Sequence, residues 1–596
     1  MKTHLIFLLT AMALAVGCIE IDGDETKPVE NEFETVVNPV DESTFETTIV
    51  PAATAAGTSY DFGDAETSDD NIVNTTFDRV ISIVFGGSQA TVSGDEKGIV
   101  KVDGNHVTVN NTTKENIVYD LSGTATDGFF KLYSSKKQAI RLSGLGLSNP
   151  SGAAINNQSK KRTFVIVEGS NALADGASYT TTPEDEDEKA AFFSEGQLIF
   201  CGSGSLVVTA KGKAGITSDD YVRFMSSPTV KVSSSAGHAV RGKDALIVTA
   251  GEITAATSAD MKKGFTSDSL VRFEGGKTVI SVTGSAAYDS EDAEYKGTAG
   301  VKADITFEML DGSLTVFNSG TGGKGISGDG AGYFKGGTVM VTTTGANYGQ
   351  SSGGGFGPGG RPGQNSSTDS DNSVSAKGIK FDGDLFFQGG TVSVACKSHE
   401  CIESKGTLEI SGGSIYSYSS DDAINAAGDL TVSGGYVCAI STGNDGMDAN
   451  GNCYIRGGVV YAVDSGTPEV AIDANTEGGK KLYVQGGTLV AIGGLENGAE
   501  LDQTCYTASS WTPGAWYSLS SGSTPALVFK APAGNTRDAR SMVVSASGSP
   551  SLQSGVSVSG GETIFGGYAV TGGSVSGGSS VKLSTYTSGG GFGPRW

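Results

Sequence analysis

Between residues 378 and 475 one pattern is written four times. Glycine pairs stand at Gly389-Gly390, Gly412-Gly413, Gly434-Gly435 and Gly457-Gly458, 22 or 23 residues apart. Before each pair lie alternating apolar residues such as Leu408/Ile410, Leu430/Val432 or Cys453/Ile455. After it come Val392/Val394, Ile415, Val437/Ala439 or Val460/Ala462, then a polar corner holding one more apolar residue, Ile402, Ile424, Met447 or Ile472. Each unit therefore predicts three short strands. A period in the low twenties, glycine at the bends and no 3.6-residue periodicity specify a solenoid of parallel strands. Its coils bury their inward residues only by stacking on one another. The expected fold is all-β, a three-sided parallel β-helix.

The corner residue can be followed through Ile216, Val240, Phe265, Val301, Ile326, Ile379, Ile402, Ile424, Met447 and Ile472, mostly in steps of 22 to 25 residues. Insertions at 289–296 and 349–373 lengthen two steps and read as loops leaving the solenoid, as does the acidic run at 180–189. The β-helix is expected over 61–497. After it, Trp511, Trp516 and Tyr517 introduce a β-rich C-terminal module, 498–596, with a Gly-rich tail. With 89 Gly and only 14 Pro in 596 residues, corners rather than helices are favoured, and a solenoid can exceed the usual size of one core. The net charge of -25 argues against a nucleic-acid partner, whose phosphates need Lys and Arg, and suits a surface that collects cations. A monomer is expected.

Residues 1–17 read as a signal peptide: the apolar run Leu5 to Val16 is too short to span a bilayer and ends at Gly17-Cys18. This resembles a lipoprotein signal in which Cys18 carries the lipid, although Leu14 stands four rather than three residues before it. Membrane contact is expected through that anchor only. Residues 18–60 read as an acidic, flexible tether. Acid close after the cysteine resembles a sorting signal of outer-membrane lipoproteins exposed at the cell surface. The other six cysteines form no Cys-x-x-Cys pair, and the chain has four histidines, so zinc is disfavoured. Cys453 occupies a leucine column and reads as a buried thiol.

Two positions around the corner residue collect acids. Two residues before it stand Glu400, Asp422 and Asp445; one residue after it stand Glu403, Asn425, Asp448 and Asp473. Asp421 and Asn444 thicken the clusters. In a solenoid such positions stack about 4.8 Å apart. Carboxylate columns so close repel unless a cation joins them, and oxygen ligands suit calcium. The plainer alternative is an acid and asparagine ladder facing solvent. Acids at Asp219, Asp220, Asp268, Asp304, Asp329 and Asp382 lie at other offsets and make a weaker case for a second site. Tyr416 and Tyr461, in one outward column with Tyr418 and Tyr436 near, are candidate platforms for sugar rings, or simply a stack that stabilises the sheet.

Gly215-Ile-Thr-Ser-Asp-Asp-Tyr-Val, Arg241-Gly-Lys-Asp, Gly300-Val-Lys-Ala-Asp and Asp421-Asp-Ala-Ile-Asn-Ala resemble the exported carbohydrate-binding β-helix family. The resemblance covers roughly residues 175 to 500. It implies a right-handed solenoid similar to pectate lyases, bound calcium, and a polysaccharide partner such as polygalacturonate or a cellulose-like chain, held without catalysis. A lyase would need a base beside calcium, for which Arg241, Lys302 and Lys380 are candidates. A hydrolase would need two spaced carboxylates, which Asp421/Asp422 and Asp445/Asp448 would supply. A surface adhesin on the same fold is the third alternative.

Overall fold

The computed structural model describes residues 33, 36–52, 68–180, 186–349, 373–464, 466, 468–508, 511–522, 524–533 and 541–589. The signal segment, Cys18, most of the 349–373 insertion and the end of the Gly-rich tail lie outside them. The described chain is a parallel β-solenoid with further β-sheet at its C-terminal end. One face, here the corner face, is a sheet of 14 strands, parallel except where Val100–Asp103 meets His106–Asn111. The other two faces run together into a 30-stranded sheet, because strands such as Leu385–Cys396 and Leu408–Ser419 pass through the bend between them.

Register follows the apolar columns. Ile379, Ile402, Ile424 and Met447 align on the corner face, and Leu385, Leu408, Leu430, Cys453 and Leu482 on the leucine face. Tyr416, Cys438, Tyr461 and Val490 align on the third face. A one-residue slip would turn every inward side chain outward, so burial fixes the register. Phenylalanines fill the axis over many coils: Phe200 lies 5.0 Å from Phe224, and Phe334 lies 4.8 Å from Phe387. The second glycine of each pair is left-handed, as at Gly413 (φ 83°) and Gly435 (φ 74°), and a Cβ on Gly435 would stand 2.7 Å from the Gly413 carbonyl oxygen. Coil-to-coil contact thus excludes side chains where the chain bends.

Three expectations change. Residues 36–52, expected within a flexible tether, lie against the solenoid: Val50 and Ser170 exchange backbone hydrogen bonds, and Lys231 Nζ donates to the Thr44 carbonyl at 3.0 Å. Apolar residues such as buried Val40 give this stretch something to dock with. Within the acidic run, Tyr133 Oη donates to Glu186 at 2.5 Å, and Glu188 accepts from the Ala153 N–H at 2.7 Å, so these two acids dock rather than face water. The insertion at 289–296 closes as a hairpin, Ala287–Asp289 against Glu294–Lys296.

A further change concerns the tyrosines. Their column exists, but the C-terminal module covers it. Trp516–Ser521, Thr524–Lys530, Pro550–Ser559, Glu562–Ile564, Ala569–Thr571 and Ser574–Val581 form a six-stranded antiparallel sheet, and Met542–Ser545 pairs with the solenoid strand Thr488–Ile492. Tyr461 is fully buried, donates to the Lys530 carbonyl at 2.8 Å and packs 5.4 Å from Phe529. Tyr416 and Tyr418 are buried too, the former 6.3 Å from Tyr568. Only Tyr436 stays exposed, at 41%. Trp511 is partly buried against the apolar cluster that solenoid and module share, and Trp516 against one within the module. Tyr461→Ala should cost about 3–5 kcal/mol at this seam. Limited proteolysis should then release a C-terminal fragment that the parent protein retains; an unchanged cleavage pattern would contradict the docking role.

Candidate metal centre

The acid rows come together because the corner residues stack. Glu403, Asn425 and Asp448 are register neighbours, and the Met447–Ile472 bridge brings Asp473 alongside. The row two residues earlier folds toward it. Asn425 Nδ2 donates to Asp422 and to Asp448, each at 3.0 Å. The Asp445 N–H donates to Asp422 Oδ1 at 3.1 Å, and the Val470 N–H to Asp445 Oδ1 at 2.7 Å. One oxygen each from Asp445, Asp448 and Asp473 lies within 4.8 Å of the others. Asn444 and Asp421 stand beside this centre, linked by a 3.1 Å hydrogen bond.

Burial drives the electrostatics. It pushes Asp445 up to about 8, with Glu469, Asp448 and Asp464 adding like charge. Asp448 rises to about 6 by burial and by Glu469 and Asp421. Asp473 rises to about 10 by burial, its hydrogen bond with Glu496 and the charges of Asp445 and Asp448. Asp422 is held well above the carboxylate range for the same reasons, burial first. A hard divalent cation would reverse each of these shifts. The all-oxygen donor set and its spacing fit calcium, which takes six to eight oxygens at about 2.3–2.6 Å.

Not every expected ligand belongs here. Glu403 is buried between two lysines: Lys377 Nζ lies 2.5 Å away and Lys405 Nζ 2.6 Å, and these ammonium groups hold its carboxyl down at about 2 even against burial. Glu400 also meets Lys377, at 3.3 Å, and contacts His399, which lies 3.3 Å from Asp421. Glu403 is thus ion-paired within the protein, which corrects its assignment as a cation ligand, whereas Glu400 also forms with His399 and Asp421 a second group close enough to hold a cation. Four of the earlier acids are ion-paired too: Asp219 meets Lys189 at 2.6 Å, Asp268 meets Arg241 at 2.6 Å, and Asp329 and Asp382 meet Lys302 and Lys380; Asp219 also lies with Asp187 and Glu195 in a group close enough to hold a cation. The candidate lyase bases therefore already hold carboxylates.

Sequence spacing missed Asp464, Glu469 and Glu496. Glu496 was within reach, because Leu495 bridges to Ile472 and is the next corner residue, so Glu496 continues the row after Asp473. Asp464 and Glu469 arrive from the connection between strands, outside both rows. Two aromatic pairs on the leucine face were also missed. Tyr333 stacks on Phe386 and Tyr454 on Tyr483, both at 5.0 Å, with Lys335 and Arg456 over the first ring of each pair.

A long parallel solenoid with a corner of converging carboxylates defines the class, and sequence comparison supplies the family. The family described as carbohydrate-binding domain-containing protein matches residues 103–423, more than half of the chain. This chain belongs to that family. The match ends among the acid coils, after Asp422 and before Asp445. Among solved structures, a polysaccharide lyase-like protein from C. thermocellum, in a gadolinium derivative, is similar at 18% identity and a TM-score of 0.36, covering 43% of this chain and 96% of that one. So slight an overlap carries no weight for activity. None of the curated proteins matches.

The raised carboxyls set a testable pH dependence. Their folded values exceed the unfolded value near 4, so the folded state binds more protons, and stability is lost as pH rises through about 6, about 8 and, for Asp473, about 10. In chelator the melting temperature should fall between about pH 5 and about pH 8, and calcium should restore it by about 2.7 kcal/mol at a hundredfold excess over its dissociation constant. Asp445→Asn with Asp448→Asn should flatten the pH dependence and abolish the calcium response. A double variant that responds to calcium like the parent would remove the assignment.

Proposed function

We propose that this protein is a lipid-anchored outer-membrane protein, displayed at the cell surface, that holds an acidic or cellulose-like polysaccharide without cutting it. Calcium at Asp445, Asp448 and Asp473, with Asp422, Asn425 and neighbouring carbonyls within reach, would order the acid coils and bridge them to sugar carboxylates. The observation that carries the polysaccharide reading is the family match over residues 103–423. Support for a binder over an enzyme comes from the bases: Arg241, Lys302, Lys380 and Lys377 are each engaged with carboxylates of the protein.

A surface of net charge -25 repels a polyuronate unless cations intervene. Retention on polygalacturonate should therefore rise several-fold with calcium and weaken in chelator, whereas retention on cellulose should not depend on calcium. Reducing ends and unsaturated products should stay at background in the same samples. Product formation that disappears in the Asp445→Asn/Asp448→Asn variant would replace the binder with an enzyme, and no retention on any glycan would leave an adhesin.

Location has its own test. Cys18→Ala should move the protein from the membrane fraction to the soluble exported fraction. A variant that stays with membranes would disprove tethering through Cys18.

A further inference from the structure

The corner His399-Glu400-Cys401-Ile402 differs in one residue type from the two corners that follow it. Three residues before the corner residue stand His399, Asp421 and Asn444, so among these coils only the first places an imidazole in the row. His399 Nδ1 contacts Glu400 Oε2 and lies 3.3 Å from Asp421 Oδ2, and one ligand atom from each of the three residues lies within 4.8 Å of the others. His399 and Glu400 belong to one coil and Asp421 to the next. The scarcity of histidine and the absence of a Cys-x-x-Cys pair, which disfavoured zinc, do not register a trio assembled across two coils.

Two features point to a cation where these groups meet. The first is Glu400 itself, which is only 5% exposed and whose Oε2 accepts no hydrogen bond among the described residues. Lys377 lies 3.3 Å from that oxygen but directs its hydrogen bond to Glu403 instead. A buried carboxylate oxygen left in this state is costly. The second is the imidazole. The Glu400 N–H donates to His399 Nδ1 at 3.0 Å, so this nitrogen presents a lone pair rather than a proton. Lone pairs of one nitrogen and two carboxylate oxygens therefore face one another, and they repel unless a positive ion lies between them. Asp421 divides its oxygens: Oδ2 faces His399, whereas Oδ1 accepts from Asn444 at 3.1 Å. The His399 and Asp421 side chains are 18% and 33% exposed, so the group is reached from solvent with Glu400 at its buried side.

We propose that His399, Glu400 and Asp421 form a second metal site, which takes a divalent transition ion such as zinc and is distinct from the all-oxygen calcium centre. Calcium takes oxygen ligands, whereas an imidazole nitrogen suits zinc and its neighbours in the first transition row. Three protein ligands leave a further position, on the exposed side, to water or to an oxygen of a bound molecule. Glu400 and Asp445 stand two coils apart in one row, about 10 Å, so the two ions can be held together. The metal would tie the coil of Ile402 to that of Ile424, and the site does not depend on which glycan the protein holds.

The test uses the full chain, stripped of metal and returned to excess calcium, which fills the oxygen centre and screens exposed carboxylates. Zinc added under these conditions should be retained through desalting at about one equivalent per chain. Cobalt in its place should give visible absorption bands. His399→Gln and, separately, Asp421→Asn should each weaken zinc binding at least about tenfold, the loss that even an outer partner of a metal ligand causes, and should abolish the cobalt bands. Both variants should melt cooperatively in chelator as the parent does, which separates a lost ligand from a lost fold. His106→Gln, which removes an imidazole from an exposed position beside Asp127, should bind zinc like the parent. Zinc binding by either site variant equal to that of the parent would overturn the site, as would a parent that retains no zinc in excess calcium. A protonated His399 paired with its two carboxylates would then account for the cluster.

Discussion

Parallel strands stacked about 4.8 Å apart convert one coil position into a continuous row of side chains, and most of this structure is a consequence of that repetition. An apolar residue at the corner position becomes a buried column; a glycine at the bend becomes a column of close backbone contacts; a carboxylate becomes one of several carboxylates too close to remain charged alone. The first two stabilise the solenoid without further help. The third needs a partner, and the protein supplies partners of two kinds.

In the coils up to that of Ile402, the partner is a lysine or arginine of the protein itself. Lys377 and Lys405 hold Glu403 ionised in a nearly dry site, where an unpaired carboxylate would be strongly disfavoured. Two to three coils further on, no such base among the described residues reaches Asp445, Asp448 or Asp473, and their carboxyls rise instead. The difference between ion pair and candidate cation site is thus a matter of which side chains reach the carboxyl. Lys377 from the preceding coil and Lys405 from its own coil reach Glu403, whereas Asn425 and Asp473 flank Asp448.

Periodicity in the sequence was enough to recover the corner, leucine and tyrosine columns, the buried place of Cys453 and the convergence of Asp422, Asp445, Asp448 and Asp473, because each depends only on spacing within the repeat. Contacts from outside the repeat were not legible. The tyrosine column looked like an open face because nothing in residues 416–461 announces that Lys530, Phe529 and Tyr568, up to 152 positions later, cover it. Residues 36–52 looked like a tether because their polar composition hid one backbone pairing and a few apolar contacts. Glu403 looked like a ligand because the row was read for acids alone, without Lys377 and Lys405 that hold it.

The account depends most on the claim that the stacked acids at the end of the solenoid hold a cation. The most direct measurement is a crystal of the full chain grown in calcium, with anomalous difference density calculated at a long wavelength. The account predicts a peak bound by oxygens of Asp445, Asp448 and Asp473 at about 2.3–2.6 Å. Density absent from that position, with the three carboxyls protonated and hydrogen-bonded to one another, would contradict it.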